Sequence, residues 1–75
     1  MEHIRQAILD SFGHLRPDAA LPPSVQTIEA EARKRSGVPV LVTRVFLDYR
    51  GEGFLTDYEC QGREYRTFWP LPQAA

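Results

Sequence analysis

Two glycine-bearing dipeptides, Gly51-Glu52 and Gln61-Gly62, divide a long β-branched and aromatic stretch into three runs. They restrict what this chain can become more than any other feature. Each fits a two-residue hairpin turn, and a turn of fixed length sets the register of the strands it joins. The runs read as strands over about 39–50, 54–60 and 64–69. A two-residue loop at Gln61-Gly62 places Cys60 against Arg63, Tyr58 against Tyr65, Thr56 against Thr67 and Phe54 against Trp69. The same loop length at Gly51-Glu52 places Tyr49 against Phe54, Leu47 against Thr56, Val45 against Tyr58 and Thr43 against Cys60.

Alternation then sorts the side chains. One face collects Leu41, Val45, Leu47, Tyr49, Phe54, Tyr58, Cys60, Tyr65 and Trp69 and reads as the core face. The other sets Arg44 across from Glu59, and Phe46 across from Asp57, which faces Arg66; Leu55 lies between Asp48 and Phe68. Opposite charges directly across a strand pair are favourable. A slip of one residue would bury these charges and expose the rings, so turn chemistry and alternation agree on one register.

Upstream, Ile4, Ala7, Ile8 and Phe12 recur at three- and four-residue spacing, which predicts an amphipathic helix over 2–12 ended by Gly13. Pro17, Pro22 and Pro23 make 14–23 a connection. Ser24 is suited to cap a second helix over 24–36, with Gly37 as its terminator and Glu29–Arg33 and Glu31–Arg35 as i,i+4 pairs. Both helices are expected on the aromatic face. The expectation is one small α+β domain spanning 1–75: two N-terminal helices packed on one face of a three-stranded antiparallel β-meander, α-α-β-β-β, with an irregular tail over 70–75.

The chain has 75 residues, a formal net charge of −1 and one cysteine. A domain of this size buries about 60% of its unfolded surface. Self-association is therefore a source of extra stability. A lone cysteine gives no disulfide framework, which points to a reducing cytoplasm. No apolar run approaches the ~20 residues of a membrane span. The charge balance offers no bulk field for nucleic acid or anionic lipid.

Candidate chemistry is sparse. His3 and His14 would lie about 16 Å apart along a helix, too far to share a metal. Cys60 on the inward face reads as a small apolar residue. Glu59 and Glu64 face each other, and two close carboxylates can raise one pKa. Arg44 stands opposite in the expected register, and a flat exposed sheet excludes no water. No catalytic residue, metal or cofactor is expected, and the chain reads as non-enzymatic.

What remains is interaction. Phe46, Leu55 and Phe68 form an apolar centre on the outer face, rimmed by Arg44 and Arg66, as in protein interfaces. A protein partner is the first expectation. Small, catalytically bare bacterial or phage products often act as adaptors or inhibitors of larger machines such as host-defence complexes. Nucleic acid is the alternative: eight of nine basic residues are arginine, and Arg33, Lys34, Arg35, Arg50 and Arg63 are candidates for a basic patch beside exposed rings. Finally, the first strand outruns its neighbour. Val40, Leu41 and Val42 are expected to present a free edge for a second copy or a partner strand.

Overall fold

The computed structural model describes residues 2–72. Its elements are α1 (Glu2–Leu15), α2 (Val25–Ser36), β1 (Leu41–Leu47), β2 (Gly53–Cys60) and β3 (Arg63–Pro70), in the expected α-α-β-β-β order. The sheet is antiparallel with spatial order β1-β2-β3. The helices pack on each other, α2 against β1 and α1 against β3. No helix among the described residues is long and apolar enough to cross a membrane.

The apolar stripe of α1 supplies Ile4, Ile8 and Phe12 to the core, all fully buried. The Phe12 ring stacks on both Phe54 and Trp69, with centroids 5.9 and 5.4 Å away. Thus α1 is fixed across two strands by one aromatic side chain. It also runs through Gly13. The turn-ending left-handed residue is Arg16, with φ 49°, whose N–H bonds the Phe12 carbonyl at 2.8 Å. Pro17 stops the helix there, because the residue before proline is excluded from the helical region. In α2 the Ser24 side chain accepts the Thr27 N–H at 3.1 Å, and Gly37 closes the other end at φ 69°.

The second hairpin has the expected register from Cys60↔Arg63 to Phe54↔Trp69. Gln61 and Gly62 both have positive φ, 54° and 78°, as a type I′ turn demands. The first hairpin differs. Leu47, not Tyr49, pairs with Phe54, and Phe46 pairs with Leu55. Its loop is four residues, Tyr49–Glu52, closed by an Asp48 N–H to Gly53 carbonyl bond of 2.9 Å. The Asp48 carboxylate explains the longer loop, since it accepts the Glu52 N–H at 2.7 Å and holds the tip. Tyr49 is therefore 88% exposed rather than part of the core.

A β-bulge at Thr43 makes the second correction. Arg44 pairs with Asp57, while Val42 pairs with Tyr58 and Leu41 with Glu59. The extra residue reverses the facing of everything before it. Val40 and Val42 point inward and are buried, and Leu41, expected in the core, is 48% exposed on the outer face. The core face is thus Val40 just before β1, Val42, Val45 and Leu47 on β1, Phe54, Tyr58 and Cys60 on β2, and Tyr65 and Trp69 on β3. Leu71 follows β3, donates its N–H to the Glu52 carbonyl at 2.8 Å and packs on this cluster. The remainder of the expected irregular tail, 73–75, lies outside the described residues.

Candidate functional site: the outer sheet face

The outer face is built in rows, each contributed by three strands. Nearest the β2–β3 turn lie Leu41, Glu59 and Glu64. Next come Arg44, Asp57 and Arg66, and then Phe46, Leu55 and Phe68. The register change in the first hairpin moved Arg44 from Glu59 to Asp57 and Phe46 from Asp57 to Leu55. It thereby assembled an Arg–Asp–Arg row beside a Phe–Leu–Phe row. Strand pairing alone brings together Arg44, Phe46, Leu55, Arg66 and Phe68.

The two arginines of the charged row behave differently. Arg66 forks onto Asp57, with Nε to Oδ1 at 2.5 Å and Nη2 to Oδ2 at 3.0 Å. This bond holds the Asp57 carboxyl below its ordinary range and raises Arg66 in return. Arg44 has no carboxylate within salt-bridge distance among the described residues. Its guanidinium lies instead over the Phe46 ring, 3.9 Å from the centroid. The Arg66 guanidinium also overhangs that ring, at 5.4 Å. Phe46 is half-buried, with both cations within cation–π range of its ring.

Phe68 is the most open ring of the apolar row, 39% exposed. Its ring leans over Gly53, where any Cβ would collide with it and with the Trp69 carbonyl. Glycine at that position is a steric requirement of the ring's placement. A shallow cavity of about 340 Å³ lies beside it, lined by Gly51, Glu52, Phe68, Pro70, Leu71 and Pro72.

The remaining candidates are dispersed. Arg33 and Arg35 pair with Glu29 and Glu31 along α2, at 3.8 and 3.4 Å. Arg50 sits in the β1–β2 loop, its Nε donating to the Tyr49 hydroxyl at 2.8 Å. Arg63 begins β3 opposite Cys60, roughly 23 Å of strand away from that loop. Arg50 therefore does not share a patch with Arg63. The edge at Val40 and Val42 is not free either. The Val42 N–H donates to Glu29 Oε1 at 2.8 Å, and the Val40 carbonyl accepts from Arg33 Nε at 2.9 Å. Two side chains of α2 thus close the stretch that the sequence suggested was open. Cys60 is buried, and His3 and His14 are exposed on α1.

Leu41 is the member of this face that the sequence reading assigned elsewhere. A signal for it exists. Val38, Val40 and Val42 alternate on even numbers, Val45 and Leu47 on odd ones, and only a bulge between them lets both sets face one core. No protein-family model, curated protein or solved structure matches the chain.

Proposed function

We propose that the chain is a non-enzymatic interaction module whose outer sheet face receives a segment of a partner protein carrying a carboxylate next to an apolar side chain. The observation that carries this reading is the contrast between two neighbouring arginines: Arg66 is bound to Asp57, while Arg44 lies beside an apolar row with no carboxylate of its own. A partner carboxylate would take the Arg44 fork, and its apolar neighbour would cover Leu55 and Phe68 in the adjoining row. Such a rigid aromatic and arginine centre with a charged surround has the composition of an interface core. A role as an adaptor or inhibitor of a larger assembly fits a domain that offers one small face.

The nucleic-acid alternative has less support. Asp57, Glu59 and Glu64 share the face with Arg44 and Arg66, and carboxylates repel a phosphate backbone. The isotopically labelled protein should be titrated with a peptide of alternating Asp and Leu and, separately, with a poly-dT oligonucleotide. Amide shifts centred on Phe46, Leu55 and Phe68 with the peptide, absent in Arg44→Glu, support the reading. Shifts confined to the oligonucleotide, or peptide shifts on another surface, overturn it.

A further inference from the structure

The free edge of β3 is complementary to itself. The Asp48–Gly53 bond fixes which way each β2 residue points its backbone. Odd positions of β2 face β1 and even positions face β3. Through the observed pairing, Arg63, Tyr65, Thr67 and Trp69 spend their N–H and carbonyl groups on β2. Glu64, Arg66 and Phe68 point theirs away from the sheet. None of these backbone groups takes part in a further hydrogen bond among the described residues. On β1 the edge is closed at Val42 by Glu29 and broken by the bulge, which leaves only Val45 and Leu47 pointing outward. The longer regular open template, with three successive outward residues, is β3.

We propose that two copies of this chain pair antiparallel through β3, with a twofold axis at Tyr65, making a continuous six-stranded sheet. Charge selects the register. With Tyr65 opposite Tyr65 of the second copy, each Glu64 faces an Arg66 across the axis, twice by symmetry. Moving the register by one hydrogen-bonded step in one direction sets Arg66 against Arg66. Moving it as far in the other direction sets Glu64 against Glu64. A step beyond the Arg66 register places Glu64 against Pro70, which has no N–H to give. Only the Tyr65-centred register matches opposite charges and uses outward donors throughout.

The isolated chain leaves a deficit that this pairing removes. Glu59 and Glu64 stand directly opposite each other on the outer face, and neither has a basic partner within salt-bridge distance among the described residues. Like charges at a directly opposed pair are destabilising. An Arg66 from the second copy would lie between its own Asp57 and this carboxylate pair. On the inner face the stacked Tyr58 and Tyr65, 5.4 Å apart, would continue into the same pair of the second copy.

The test is mass by light scattering across a dilution series, with amide exchange read in parallel. The expected result is twice the 8.6 kDa chain mass at high concentration, with Glu64, Arg66 and Phe68 amides protected. Glu64→Arg should weaken association about tenfold, as two like-charge contacts replace two attractive ones. Its monomer should stay folded, because the change also removes the Glu59 repulsion. The combined Glu64→Arg, Arg66→Glu variant should recover association. A wild-type mass of 8.6 kDa at ~1 mM, where even weak pairs form, overturns the proposal. So does a dimer whose β3 amides exchange freely, or one indifferent to Glu64→Arg.

Discussion

The carboxylate of Glu29, on α2, accepts the backbone N–H of Val42, on β1, at 2.8 Å. A helix side chain thus occupies a strand edge that would otherwise be open to another chain. The bond is charge-assisted and half-buried, so its loss leaves a donor facing apolar surroundings. Glu29→Ala should lower unfolding free energy by about 1.5–3 kcal/mol, and Glu29→Gln by less, because the amide oxygen still accepts. Urea titrations followed by Trp69 fluorescence would show the order Ala worse than Gln. Equal effects of both variants would mean that the carboxylate contributes only through Arg33.

Two buried hydroxyls have no such partner. Thr56 and Thr67 face each other across β2 and β3, are 0% and 4% exposed, and neither hydroxyl makes a hydrogen bond among the described residues. A buried unsatisfied hydroxyl costs about 1–3 kcal/mol. Valine has nearly the same shape and β-branching. Thr56→Val and Thr67→Val should each raise the thermal midpoint, by an amount corresponding to about 1 kcal/mol. A fall in the midpoint would show that the hydroxyls are solvated by internal water.

The glycines at 13 and 53 give opposite expectations. Gly13 lies within α1 with open space where a Cβ would go, and Gly53 has none because of Phe68 and Trp69. Gly13→Ala should stabilise by about 0.5–1 kcal/mol through helix propensity. Gly53→Ala should destabilise by about 1–3 kcal/mol and move the Phe68 ring, an overpacking effect. Calorimetry on the two variants reads both signs, and Phe68 ring shifts report the displacement.

The part of the fold legible from the residues was the part governed by local chemistry. Gln61-Gly62 admits only a tight turn with two positive φ values, so the β2–β3 register followed. Gly51 was equally visible but belongs to a wider loop, because Asp48 captures the Glu52 amide. That competition between carboxylate and backbone is not encoded in a glycine alone. The Thr43 bulge had its trace in the phase change of the valines, yet a plain alternation template places Leu41 on the wrong face. The outer-face group survived because the pairing moved by two residues, which preserves sidedness. Partner residues changed, and the Arg44–Phe46 stack depends on three-dimensional placement that spacing does not show.

Asp57 provides the acid-side prediction. Its bond to Arg66 lowers its pKa from the ordinary 3.8 in the folded chain. A carboxyl depressed by folding binds fewer protons than in the unfolded chain, so stability rises with pH over that window. Its contribution is complete above 3.8 and is lost as pH falls through the lower folded value. The pair is substantially solvent-exposed, so added salt should shrink the effect. Urea titrations of wild type and Asp57→Asn between pH 5 and pH 2 (pH values at which only carboxyls titrate) should converge as acid is added, with wild type the more stable at the upper end. Arg66→Lys keeps the charge but not the fork and should lie between them. Curves that stay parallel to the lowest pH would show that Asp57 keeps its ordinary pKa and that the outer face is not organised around this pair.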